Sequence, residues 1–96
     1  MQSTFKPSEN MTFQTVQGDC QKLVKFCSEA QGKVLMIDLS KVRHCDSAGL
    51  ALLIEAKRLS IAHDKTCEIT GISDAIKSLA EFCGVGAMLG LIYGNE

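Results

Sequence analysis

The sequence predicts a single α/β domain, a mixed or parallel sheet of about four strands with helices packed on it. Three observations lead there. Apolar residues recur at helical spacing after residue 15, form a short, nearly unbroken run at residues 34–39, and return to helical spacing after residue 46. The alternation continues as strand, helix, strand, helix, strand, helix, with Gly, Ser or Asp at the changes. The chain has 96 residues, 46% hydrophobic and 22% charged, which suffices for one core and not for two. Residues 1–96 are therefore expected to form one domain.

The elements follow in order. Within residues 1–13, a short strand is expected at residues 2–6, and Pro7 confines it to a sheet edge because proline cannot donate to a ladder. Ser8, Glu9 and Asn10 read as a turn. Val16, Cys20, Leu23, Val24, Cys27 and Ala30 then recur at intervals of three and four, which makes a helix with Lys22, Lys25 and Glu29 on its far side. Gly32 stands where a C-terminal cap is expected. Residues 34–39, Val-Leu-Met-Ile-Asp-Leu, are short and nearly all apolar, as in a strand buried on both faces. Asp38 is the exception, and its expected role is to accept backbone hydrogen bonds at the strand end. Residues 41–45 read as a loop. The next helix has Asp46 or Ser47 as its N-cap, buried first turns (Leu50 to Ile54) and solvent-facing last turns. Residues 67–70 alternate as a short strand closed by Gly71, and Ser73 caps a helix carrying Ile76, Leu79, Ala80 and Cys83. The last apolar run, residues 87–93, fits a final strand or a short helix.

Composition excludes several function classes. Ten Lys and Arg against eleven Asp and Glu leave a net charge of −1, with no basic excess to bind nucleic acid. With no Trp and one Tyr, stacking platforms for bases are absent as well. The longest uncharged run, residues 82–95, is broken by glycines and shorter than the roughly 20 apolar residues of a spanning helix. The N-terminus lacks the apolar core of a signal peptide. A cytoplasmic protein is expected, held at a membrane only through a partner. The five cysteines, Cys20, Cys27, Cys45, Cys67 and Cys83, are odd in number, have no C-x-x-C pair, and form no metal-ligand spacing with His44 or His63. They read as reduced thiols serving as small core hydrophobes. No phosphate-binding loop and no nucleophile with an oriented base is visible, so no catalytic residue and no cofactor is assigned.

The informative segment runs from Asp38-Leu39-Ser40 to Asp46-Ser47-Ala48-Gly49-Leu50. A helix N-terminus presents free N–H groups and partial positive charge, which Asp46 and Ser47 can satisfy, and Gly49 admits another backbone at close range. A phosphate on Ser47 would suit the helix terminus and repel Asp46. Lys41, Arg43, Lys57 and Arg58 could add a basic face nearby.

A buried strand ending in Asp-Leu-Ser, a loop, and Asp-Ser-x-Gly-Leu opening a helix resemble the STAS domains, with similarity extending over residues 15–83. The Gly-Leu-Ala-Leu-Leu after the motif resembles the MlaB-like members more than the anti-sigma factor antagonists. The resemblance implies a STAS fold and a non-catalytic accessory subunit bound to the cytoplasmic ATPase of a phospholipid-transporting ABC complex, with the permease in the same assembly. Asp46, Ser47, Ala48, Gly49, Lys57 and Arg58 are then the expected partner-binding residues. The alternative it implies is an anti-sigma factor antagonist, bound by a kinase that phosphorylates Ser47. Family members commonly begin with two strands, whereas this chain has room for one. The resulting open edge invites pairing with a partner or with a second copy as a homodimer.

Overall fold

The computed structural model describes residues 2–90. Its elements are β1 (Gln2–Phe5), β2 (Asn10–Met11), α1 (Val16–Glu29), β3 (Val34–Asp38), β4 (His44–Cys45), α2 (Ser47–Ala62), β5 (Thr66–Thr70) and α3 (Asp74–Phe82). The three main strands form one sheet in the order β1-β3-β5, and β2 and β4 form a separate two-stranded ladder. Every described pairing is parallel, which decides between the mixed and parallel alternatives. The apolar run of β3 takes the sheet centre, with Leu35 between Ser3 and Cys67 and Ile37 between Phe5 and Ile69. β1 lies at an edge, as expected, and ends at Phe5, two residues before Pro7.

β3 is not buried on both faces. Its burial alternates: Leu35 and Ile37 are inside, while Val34, Met36 and Asp38 are half-covered. Their neighbours across the sheet on that second face, Thr4, Thr66, Glu68 and Thr70, are exposed. The helices therefore cover one face, and a two-layer domain results. Leu23 and Cys27 of α1, Leu52, Leu53, Ala56 and Leu59 of α2, and Ile76 and Ala80 of α3 meet Leu35 and Ile37 in a single core. Phe5 of β1 meets Phe26 of α1 with ring centroids 5.5 Å apart in a tilted contact, a favoured aromatic geometry.

The helix ends follow from local chemistry. Ser73 caps α3 by accepting from the Ile76 N–H at 3.2 Å. α1 ends with Ala30 as its C-cap, and Gly32 lies two residues on with φ 84°. The Lys65 ammonium closes this end, donating to the Ala30 and Gly32 carbonyls at 3.0 and 2.5 Å, where a cation suits the helix dipole. Asp38 behaves as expected, its Oδ1 accepting from the Ser40 N–H at 2.9 Å. Gly71 follows β5 at φ 70°, and a Cβ there would stand 2.6 Å from the Ser40 nitrogen.

Five further expectations change. Asn10 does not complete a turn but opens β2, and the 41–45 loop contains β4. β5 begins one residue earlier than its alternation suggests, at Thr66. Of the 87–93 run, residues 87–90 form turns with Leu89 buried in the core, and the remainder lies outside the described residues. The cysteines divide: Cys27 and Cys67 are core, Cys20 and Cys45 are half-buried, and Cys83 is exposed.

Candidate functional site

The site is assembled at the N-terminus of α2 from segments more than thirty residues apart. β2 and β4 pair through Asn10 with His44 and Met11 with Cys45. The Glu9 carbonyl accepts from the Arg43 and His44 N–H groups at 2.7 and 3.2 Å, and the Met11 carbonyl accepts from the Asp46 N–H at 3.2 Å. The β1–β2 connection is tied down separately. Buried Asp19, in the first turn of α1, accepts from the Ser8 hydroxyl at 2.7 Å and the Ser8 N–H at 3.3 Å.

Asp46, not Ser47, is the N-cap. Its Oδ1 accepts from the Ala48 and Gly49 N–H groups at 2.9 and 3.2 Å, and its Oδ2 accepts from the Phe13 N–H at 3.0 Å. The Phe13 N–H, then those of Gly49 and Ala48, hold this carboxyl below the usual carboxylate range against the opposing effect of partial desolvation. One side chain thus binds the helix terminus to the 12–15 turn. Gly49 is buried under β2. An added Cβ would collide with the Met11 carbonyl oxygen and stand 2.8 Å from Cys45 Sγ. Cys45 is no nucleophile at neutral pH, because burial and then the neighbouring Asp46 push its thiol up to about 11.

Asp46 and Gly49 are thereby committed to holding the turn, and Ala48 is half-buried beside them. Ser47 is exposed, and among the described residues its hydroxyl has no hydrogen-bond partner. Lys57 and Arg58 do not gather at this end. They lie ten and eleven residues further along α2, about 15 Å away at the helical rise. The Lys57 ammonium donates to the Cys67 carbonyl at 2.8 Å, and the Arg58 guanidinium pairs with Glu55 at 2.8 and 2.5 Å. Lys41 and Arg43 are exposed in the loop before the motif, so the four cations form no single basic face there.

Two large apolar side chains are found here that the linear reading overlooked. Phe13, displayed on the turn that Asp46 holds, is 81% exposed. Ile61, in the last turn of α2, is 77% exposed. Ser47, Ala51, Ile54, Arg58 and Ile61 recur at i, i+4, i+7, i+11 and i+14, which is one stripe of a helix. This stripe lies opposite the core-facing Leu52, Leu53, Ala56, Leu59 and Ser60. The spacing was available in the sequence, but α2 is apolar on nearly all sides, so the larger buried set masked it. Ser47, Ala51, Arg58 and Ile61 are exposed and Ile54 is half-buried. The stripe carries one charge, already paired in cis, and runs from the motif to the far end of the helix.

This arrangement presents an exposed surface along α2. Among the described residues, no group of three or more His, Cys, Asp or Glu side chains could hold a metal, and no helix is long and apolar enough to cross a membrane. A shallow cleft lined by Val42, Arg43, His44, Cys45, Ser73, Ala75 and Ile76 lies beside β4. No curated protein matches the chain. Residues 11–92 match the family model described as "Mlab, STAS domain".

Proposed function

The chain belongs to the STAS domain family, in its MlaB-like group, and on that premise we propose that it is a non-catalytic accessory subunit that docks on the cytoplasmic ATPase of a phospholipid-transporting ABC complex. The observation that carries this reading is the exposed stripe of α2, continuous with the motif and flanked by Phe13. A helix stripe that exposes apolar side chains, here Ala51, Ile54 and Ile61, is a form in which a helix fits a groove on a partner. Exposed aromatics are typical interface anchors, because a rigid ring buries much area at little entropic cost. The small side chains of Ser47, Ala48 and Ala51 permit close approach at the motif end. The subunit would reach the membrane through this assembly, with the permease in the same complex.

The test is a binding titration with the ATPase subunit. Phe13→Ala and Ile61→Ser remove exposed apolar groups, so folding is retained while affinity falls, by more than about tenfold if either is an anchor. Ser47→Asp adds a charge beside Asp46 at a surface that becomes desolvated, and affinity falls again. Full-strength binding by all three variants refutes the interface.

A second reading is an anti-sigma factor antagonist switched by a kinase. It is favoured by the free, exposed Ser47 hydroxyl at a helix N-terminus, where a phosphate is well accommodated. Incubation with a candidate anti-sigma kinase and ATP separates the two. Phosphate transferred to wild type and not to Ser47→Ala supports the switch, and no transfer rejects it for that kinase.

A further inference from the structure

We infer that Lys57 and Glu68 keep the free edge of β5 closed to strand addition by a second copy of this chain. The orientation of β5 follows from its register. The Thr66 N–H donates to the Lys33 carbonyl and the Thr70 carbonyl accepts from the Leu39 N–H, both at 2.8 Å. Thr66, Glu68 and Thr70 therefore turn their backbone groups toward β3, and Cys67 and Ile69 turn theirs outward, because polar groups alternate along a strand. Among the described residues β5 is the last strand of the sheet, so these groups face no described neighbouring strand. Among the described residues, one hydrogen bond reaches them, from the Lys57 ammonium to the Cys67 carbonyl at 2.8 Å.

An edge of this kind is a template for pairing with an identical strand. A two-fold antiparallel pairing centred on Glu68 would set Cys67 opposite Ile69 of the other copy, twice, and supply four hydrogen bonds. Two features oppose it. Lys57, held over the edge from α2, occupies the Cys67 carbonyl and would bring its charge into the joint. Glu68, exposed on the open sheet face, would stand directly opposite its own copy, and like charges in that position destabilise the pair. The turn at residues 86–90 adds to the cover, since a Cβ on Gly90 would lie 3.6 Å from the Lys57 nitrogen. Lys57 is thus engaged within the fold, and the inference stands whether or not an ATPase is the partner.

The experiment measures mass against concentration by sedimentation, and residue-by-residue amide exchange, for the full chain, Lys57→Met and Lys57→Met/Glu68→Thr. Methionine retains the apolar stem of Lys57 and removes its donor and charge. In wild type, the Cys67 and Ile69 amides should exchange freely while those of Glu68 and Thr70 are protected, at every concentration. Lys57→Met should approach twice the monomer mass as concentration rises, with the Cys67 and Ile69 amides becoming protected in step. The double variant should do so at a several-fold lower concentration. Two variants that stay monomeric, or that associate without protecting Cys67 and Ile69, overturn the inference. So does a wild-type Ile69 amide as protected as that of Thr70, a result that needs no variant to fold.

Discussion

Replacing Gly49 with Ala should destabilise this protein even though the residue sits in a helix. Intrinsic propensity favours Ala over Gly in a helix interior by about 0.8–1 kcal/mol. The packing opposes it. The new Cβ would overlap the Met11 carbonyl oxygen and stand 2.9 Å from Met11 Cβ and 2.8 Å from Cys45 Sγ. Met11 is fully buried, and its carbonyl is backbone in the β2–β4 ladder, so it cannot rotate aside. Relief requires β2 and α2 to part by on the order of 1 Å, enough to forfeit much of the contact energy between them. That motion stretches the Asp46 N–H bond to Met11 and the Asp46 Oδ2 bond from Phe13. Overpacking of this kind typically costs about 1–3 kcal/mol, which exceeds the propensity gain. Gly18→Ala is the control, because a Cβ at Gly18 meets nothing within 4 Å. It should stabilise by up to about 1 kcal/mol through helix propensity and the restricted unfolded chain. Urea unfolding followed by circular dichroism reads both, with a slope of about 1 kcal/mol/M for a chain of this size. Net of the propensity gain, the midpoint should fall by up to about 2 M for Gly49→Ala and rise for Gly18→Ala. A Gly49→Ala midpoint at or above wild type refutes the role of the glycine as the close-approach point that sets the motif against β2.

Ile37→Ala, at the core face of the central strand, should cost about 2–5 kcal/mol in the same assay, whereas Met36→Ala on the half-open face should cost less. Ser47→Ala should leave stability within about 0.5 kcal/mol, because Asp46 supplies the cap. Acid should destabilise the domain through Asp46, Asp38 and Glu55, whose carboxyls are all held below their ordinary values by hydrogen bonds. Their contribution is complete above the unfolded carboxylate range of about pH 4 and is lost as pH falls through the lower folded values. Asp46→Asn should flatten that dependence in thermal melts taken between pH 7 and pH 2. Alkylation of native protein should modify exposed Cys83 first and buried Cys27 and Cys67 last, with five free thiols after denaturation; fewer than five would contradict the assignment of all five as reduced.

Much of the fold is legible in the linear sequence because it depends on neighbours. Leu23 and Cys27 share a helix face by spacing alone, and Ser73 caps α3 across three residues. Asp46 and Gly49 could be singled out as a helix-start motif for the same reason. What pairs across distance was not legible. β2 and β4 are two residues each, too short to carry a period, and they exist because Asn10–Met11 and His44–Cys45 are brought side by side. Asp46 caps the helix through one oxygen, and its second oxygen also accepts from Phe13, thirty-three residues earlier, a contact no local reading could place. The apolar residues of β3 looked doubly buried, yet the helices all settled on the Leu35 and Ile37 face. Lys57 looked like a surface charge for a partner and is instead bonded to the edge of β5. Periodicity and capping are properties of adjacent residues, and the sequence alone determined them. Exposure, close approach and edge cover are properties of the space between elements, and only packing decided which side of each element remained to meet another molecule.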